Sequence, residues 1–189
     1  QQQGRGGIVN NNLFIVIAAS AIYYGTPLFL AALGEVITER SGVLNLGVEG
    51  MMLLGAVAAS GTASNVSGPG WWVLTVSILA AMLAAGLGAL LHAFATITLR
   101  VNQTVSGLAL TILAGGAGLS SYLANLWELE KAPVQFEKFD VLGLKDAPIV
   151  GPILFNQNAL TYLSWVLAVV ASWYLFRTRP GLHLRAVGE

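Results

Sequence analysis

Long uncharged apolar stretches constrain this chain more than any other feature. Residues Leu13–Leu33 and Trp71–Leu99 carry no formal charge along their whole length. A helix needs about 20 apolar residues to cross the hydrocarbon core of a bilayer. The chain is 56% hydrophobic and 10% charged, whereas about 25% of the residues in an ordinary soluble domain are charged. We therefore predict an all-α integral membrane protein that membrane lipid partly covers.

Apolar stretches separated by polar connections predict about five transmembrane helices. The predicted spans are residues 13–33, 43–60, 71–99, 101–127 and 159–176. The second span is short or broken, because Asn45 and Glu49 lie inside it. The polar, glycine-rich residues 1–12 are expected to form a flexible lead. Residues 128–158 are charged and contain prolines, which is typical of a loop outside the membrane.

A cluster of glycines predicts an irregularity in the fourth span. Gly115, Gly116 and Gly118 lie near its centre. Small residues let membrane helices approach each other closely, and glycine also weakens a helix. We expect either a close helix contact or a helix break at this position.

Basic residues predict which side of the membrane each connection faces. Lys and Arg are enriched in short cytoplasmic connections near span ends. With the predicted spans, the basic residues that fall on one side of the membrane are Arg40, Arg100, Arg177, Arg179 and Arg185. We therefore expect residues 34–45, the turn at Arg100 and the segment 177–189 in the cytoplasm. The N-terminus and the loop at 128–158 are then expected outside.

The charge balance and the missing residue types argue against several function classes. Nine basic and nine acidic residues give a net charge of zero, so no overall field attracts nucleic acid. The lack of cysteine excludes disulfides and thiolate metal sites. No set of metal ligands accompanies His92, which we interpret as a hydrogen-bonding residue, and no motif of a nucleophile or phosphate-binding loop is present. We expect no catalytic residue, metal, cofactor or ATPase site on this chain.

Glu49 is the residue that most suggests a function. A carboxylate inside an apolar helix is costly, and it usually faces a bundle interior or a water-filled cavity. Glu49 could line a solute path, carry a proton in a proton-coupled transporter, or lock a helix contact as a partnered or protonated group. The residues alone leave these three interpretations open.

Three amide side chains accompany Glu49 as candidates for a solute path. Asn45 lies four residues before Glu49, so on a helix the two would share a face. Asn45 could bind solute hydroxyls or base edges, or it could hydrogen-bond to a neighbouring helix. Asn102 and Gln103 open the fourth span, where they could line the inner end of the path or cap the helix.

Three stretches resemble the permease subunits of bacterial ABC importers for branched-chain amino acids, ribose and nucleosides. They are residues 30–56 (LAALGEVITERSGVLNLGVEGMMLLGA), 99–119 (LRVNQTVSGLALTILAGGAGL) and 178–189 (TRPGLHLRAVGE). The first stretch looks most like the nucleoside-type permeases. The third is similar to the cytoplasmic segment that meets the ATPase. The stretches stand in the family's order and extend over nearly the whole chain.

The resemblance implies a multi-pass subunit of the cytoplasmic membrane that moves nucleosides or simple sugars by ATP-driven alternating access. Its implied partners are a second permease subunit, cytoplasmic ATP-binding subunits that hydrolyse the ATP, and an extracytoplasmic solute-binding lipoprotein. Family members have several further spans, so we expect the chain to continue past Glu189. The alternative is a secondary transporter or channel in which Glu49 is the ion or proton site.

The resemblance also implies roles for individual residues. Those expected beside the solute path are Asn45, Glu49, Asn102 and Gln103. Those expected in the segment 177–189, which would couple the subunit to the ATPase, are Gly181, Leu182, Arg185 and Glu189.

Overall fold

The computed structural model describes residues 3–115, 118–129, 134, 136–140, 143–144 and 147–188, without the side chains of residues 3–12 and 140. The helices in these residues are α1 (Gln3–Arg40), α2 (Val48–Asn65), α3 (Gly70–Ala93), α4 (Gln103–Ala114), α5 (Leu119–Leu126), α6 (Ala159–Arg177) and α7 (Arg179–Gly188). One π-helical turn, Phe94–Thr98, continues α3, and a second is formed by Gly151–Phe155. Strands β1 (Lys138–Asp140) and β2 (Asn156–Asn158) pair antiparallel.

Four segments of the chain are long and apolar enough to cross a bilayer. Three are continuous helices, Leu13–Arg40, Gly70–Thr98 and Ala159–Arg177, and the fourth, Gln103–Leu126, contains α4 and α5 and includes two residues outside the described ones. Only 6% to 25% of the residues in their apolar windows are buried inside the protein, so lipid or another chain must cover most of this surface. The protein is an all-α, multi-pass membrane protein, as predicted. The span predicted to be short, α2, has 18 residues and is not among these four.

The region between the first two spans differs from its prediction. Helix α1 begins at Gln3, so the lead that was expected to be flexible is helical from that residue, and α1 runs past residue 33 to Arg40. Helix α2 begins at Val48 rather than at residue 43. Residues 41–47, which we term the α1–α2 break, lie outside both helices. Asn45 lies in this break, so the prediction that Asn45 shares a helix face with Glu49 is wrong.

A glycine cap ends α1 at a fixed point. Gly42 has a φ of +82°, a left-handed conformation that glycine adopts without the steric cost of a Cβ. The N–H of Gly42 donates to the carbonyl of Glu39 at 3.0 Å, and the N–H of Val43 donates to the carbonyl of Thr38 at 3.1 Å. These two bonds form a Schellman motif, which satisfies carbonyls that the end of a helix leaves without partners.

The fourth predicted span contains the break that its glycines suggested. Helix α4 ends at Ala114 and α5 begins at Leu119, and the backbone is extended at both Gly115 and Gly118. Gly116 and residue 117 lie outside the described residues. The region 128–158, predicted as a loop, contains β1, β2 and the second π-helical turn. This small hairpin was not predicted.

The chain forms two compact units. The first contains α1 as far as Gly34 and residues Phe136–Leu182. Its most buried side chains are polar, because Gln157, Thr161 and Ser164 are each less than 2% exposed. The Oγ1 atom of Thr161 lies 2.9 Å from that of Thr26 in α1 and donates to Oδ1 of Asn158 at 2.8 Å. The bond between the two threonine hydroxyls therefore joins α1 to α6 in this unit.

The second unit contains Glu35–Gln135 and the end of α7 from His183. Helix α2 packs mainly against α3 and α4, and the buried apolar residues of this unit include Met51, Val73, Leu110 and Ala114. Gly88 of α3 lies beside Met51 and Leu110. This packing places the start of α2, and with it the α1–α2 break, against α4.

Candidate functional site

Side chains from α1 and α4 hold the backbone of the α1–α2 break. The N–H of Leu44 donates to Oε1 of Gln103 at 2.9 Å, and the N–H of Asn45 donates to Oε1 of Glu35 at 3.1 Å. The hydroxyl of Thr111 donates to the carbonyl of Leu46 at 2.9 Å. Backbone N–H and C=O groups need hydrogen-bond partners, and these bonds supply partners to groups that have none in a helix. The break is therefore a defined structure that is bonded to two helices.

Asn45 shapes the break with its own side chain. Its Oδ1 accepts a hydrogen bond from the N–H of Gly47 at 3.1 Å, the pattern of an Asx turn. Its Nδ2 lies 3.7 Å from Sδ of Met51, a weak acceptor. Asn45 is half-buried. The structure thus gives Asn45 a structural role, and its place on a solute path stays a prediction.

Glycines bring α4 and α2 into direct contact around the break. A Cβ on Gly107 of α4 would lie 2.8 Å from the backbone N of Gly47 and 2.9 Å from that of Leu46. A Cβ on Gly50 of α2 would lie 2.8 Å from the carbonyl oxygen of Leu110. Such distances are shorter than van der Waals contact, so both positions require glycine for the backbones to lie this close.

Glu49 lies in the first turn of α2 and is exposed. The N-terminus of a helix carries a partial positive charge, which stabilises a carboxylate there by about 0.3–1 kcal/mol. Within the described residues, its carboxylate has no hydrogen-bond or ion-pair partner. Glu49 therefore presents two acceptor oxygens that a ligand or another chain can use.

Asn102 and Gln103 lie at the start of α4. Oδ1 of Asn102 accepts a hydrogen bond from the N–H of Val105 at 3.2 Å, so Asn102 is the N-cap of the helix, which confirms the capping interpretation. Gln103 is half-buried and contacts the break through its Oε1. The side-chain NH2 groups of both residues have no acceptor in the part of the chain that the structure describes. They remain available as donors to a ligand.

His92 forms the hydrogen bond that was expected of it. It is 6% exposed, and its Nδ1 lies 3.0 Å from Oγ of Ser106, which links α3 to α4. Its Nε2 is buried and has no partner among the described residues.

Glu35 was not predicted as a site residue. It is half-buried, and while its Oε1 accepts from the N–H of Asn45, its Oε2 is buried without a partner in the described residues. Its charge was visible in the sequence, but it was assigned to a polar connection at residues 34–45. Glu35 precedes the Gly42 cap and therefore lies within α1. This position is the signal that could have identified Glu35 as a site residue.

The four predicted coupling residues differ in their surroundings. Gly181 is buried, and a Cβ there would collide with the carbonyl oxygen of Tyr174 and lie 2.8 Å from Cα of Leu175. Leu182 is 57% exposed, Arg185 is half-buried, and Glu189 lies outside the described residues. Gly181 thus allows α7 to fold back on α6, and Leu182 is accessible to a partner.

Comparison with known proteins gives a consistent family match. The family model described as branched-chain amino acid transport system / permease component matches residues 17–189. The chain is 39% identical to the guanosine ABC transporter permease protein NupQ of Bacillus subtilis, over 92% of this chain and 56% of that protein. It is 35% identical to the nucleoside ABC transporter permease protein NupC of Lactococcus lactis, over 94% of this chain and 57% of NupC.

A third relative carries a different solute in its name. The chain is 38% identical to the putative glucose ABC transporter permease protein TsgC13 of Haloferax volcanii, over 90% of this chain and 50% of that protein. No solved structure matches the chain. The chain spans about half the length of the curated relatives it matches.

Proposed function

We propose, because this chain belongs to the family of branched-chain amino acid transport system permease components, that it forms part of the transmembrane subunit of an ABC importer. The subunit moves nucleosides, or simple sugars, across the membrane by ATP-driven alternating access. The observation that carries this proposal is the family match over residues 17–189. Two of the relatives are named for guanosine or nucleosides and one for glucose, so nucleosides are the first solutes to test.

The α1–α2 break supports a solute path at this position. Backbone that leaves a membrane helix is tolerated where it is packed in protein or lines a cavity. The break is packed on α4 through Gly107 and is bonded to Gln103. The carboxylate of Glu49 offers acceptors, and the NH2 groups of Gln103 and Asn102 offer donors. These groups match the hydroxyls and base edges of a nucleoside.

The partners of the subunit follow from the same proposal. ATP is hydrolysed by separate cytoplasmic subunits, a second permease subunit completes the membrane part, and an extracytoplasmic lipoprotein delivers the solute. The surface that meets the ATPase lies on α7. Its support is the resemblance of residues 178–189 and the exposure of Leu182 on this helix.

Uptake into proteoliposomes tests the proposed function. The full-length subunit is reconstituted with the ATP-binding subunits, the second permease and the lipoprotein of the same transporter. We expect radiolabelled guanosine or glucose to accumulate only when ATP and the lipoprotein are present. Uptake is expected to survive the collapse of a proton gradient. Uptake that requires the proton gradient and not ATP would overturn the proposal in favour of a secondary transporter.

Two carboxylate variants test the proposed path. Glu49→Gln keeps one acceptor oxygen but removes the charge, and we expect it to raise the KM for solute by about tenfold, the effect of losing about 1.4 kcal/mol of solute binding. Glu39→Gln is the matched control, because Glu39 is also exposed but its side chain has no place in the proposed path. An equal effect of the two variants, or none from Glu49→Gln, would exclude Glu49 from the path.

A further inference from the structure

We propose that Gly42 and Gly188 are positioning residues through which the end of α7 moves the α1–α2 break during transport. This inference rests on the proposed function, because it assigns α7 the task of receiving movement from the ATPase. Both residues belong to the same compact unit. Their contact joins the predicted coupling segment to the backbone that carries Asn45.

The contact is made by backbone on both sides. A Cβ on Gly188 would lie 2.5 Å from the carbonyl oxygen of Arg40, 2.7 Å from the N of Gly42 and 3.0 Å from the carbonyl carbon of Ser41. A Cβ on Gly42 would lie 3.1 Å from Cα of Gly188. Backbone atoms cannot rotate away as a flexible side chain can. A displacement of Gly188 towards the break must therefore displace residues 40–42 as well.

The end of α7 also has a surface that a partner can reach. His183, Ala186 and Val187 are exposed, and Val187 is 80% exposed. Residues three and four apart lie on the same side of a helix, so these three form one face. We assign this face to the ATPase. The helix end then lies between the ATPase on one side and the break on the other.

Movement of the break cannot remain local, because its backbone is bonded to α4. The bonds from Leu44 to Gln103 and from Thr111 to Leu46 join the break to the first turn and to the last turn of α4. Gly107 holds the two backbones in contact between these bonds. The break and the start of α4, with Gln103, are therefore expected to move as one body when α7 moves.

Gly188→Ala in the reconstituted full-length transporter tests the inference. We expect solute uptake per ATP hydrolysed to fall by about tenfold, which is within the usual range of coupling between two sites, while the ATPase subunits still copurify with the permease. Gly86→Ala is the matched control, because a Cβ there would have nothing within 4 Å. An unchanged ratio of uptake to hydrolysis in Gly188→Ala would overturn the inference.

A crosslink provides a second test that does not depend on the folding of Gly188→Ala. The chain has no cysteine. Ser41→Cys and Leu184→Cys introduce one reactive pair in a transporter freed of other reactive cysteines. Leu184 lies four residues before Gly188, on the side of α7 that faces the break and not on the side assigned to the ATPase. If the contact transmits movement, the two residues move together, and joining them with a short bifunctional reagent should leave uptake intact. Loss of uptake on crosslinking, with either single-cysteine variant unaffected, would overturn the inference. Absence of ATP-dependent uptake in the unmodified transporter would instead refute the proposed function.

Discussion

The Oε1 atom of Gln103 accepts a hydrogen bond at 2.9 Å from the N–H of Leu44, which lies 59 residues earlier in the chain. This bond fixes the start of α4 to the α1–α2 break. Replacing Gln103 with Met removes the acceptor and keeps a side chain of similar length. We expect a loss of about 0.5–1.5 kcal/mol of stability, the usual contribution of one hydrogen bond. Thermal unfolding in detergent measures the loss, and faster amide exchange at Leu44 locates it.

Gln103→Glu is the control for this prediction. A carboxylate oxygen can accept the hydrogen bond from Leu44, but it supplies no NH2 donors. We therefore expect amide exchange at Leu44 to stay slow in Gln103→Glu. If Gln103→Met and Gln103→Glu both leave exchange unchanged, the bond does not hold the break.

Hydrophobicity was sufficient to find the long spans, because the thickness of the bilayer sets the length of an apolar helix. It did not locate the start of α2. Residues 43–46, which read Val-Leu-Asn-Leu, are apolar enough to continue a helix, and only the cap at Gly42 shows that they do not. The sequence Arg-Ser-Gly at 40–42 contained that signal, since basic residues precede and glycine follows the end of many helices.

The bonds at the candidate site could not be read from the sequence. Glu35 and Asn45 are separated by a helix end whose geometry decides whether they meet. Gln103 and Leu44 meet only after α2 and α3 have packed against α4. The residue types alone indicated that the side chains of Asn45 and Gln103 would each form hydrogen bonds. Tertiary packing decided that their partners include backbone groups of the break.

Glu35 gives a second prediction about the break. Glu35→Ala removes the acceptor for the N–H of Asn45, and a hydrogen bond to a charged group contributes about 1.5–3 kcal/mol. Glu35→Gln keeps a carbonyl oxygen that can accept this bond. We expect unfolding measurements to show a loss in this range for Glu35→Ala and less than half of it for Glu35→Gln. The control is Glu39→Ala, because Glu39 is exposed on the same helix. Equal losses in the two Glu35 variants would show that the charge, and not the bond, matters.

The hydroxyl pair of the first unit gives a third prediction. Thr161 is completely buried, and its Oγ1 lies 2.9 Å from that of Thr26. Thr161→Val leaves both Thr26 and Asn158 with one partner fewer, so we expect a loss of about 1–2 kcal/mol. The double variant with Thr26→Val should lose less than the sum of the two single variants, because the residues share one bond. Strict additivity in a double-mutant cycle would show that the hydroxyls do not interact.

Alanine substitutions at two glycines distinguish the effect of close backbone contact on stability from the effect of helix propensity. Gly107→Ala would place a Cβ 2.8 Å from the N of Gly47, so α4 must move away from the break, and we expect a loss of about 1–3 kcal/mol. Gly86→Ala meets nothing within 4 Å, and alanine is a better helix former by about 1 kcal/mol. We therefore expect unfolding in detergent to show opposite signs for the two variants. Since both substitutions add the same methyl group to a helix, a gain in stability from Gly107→Ala would mean that α4 does not lie against the break.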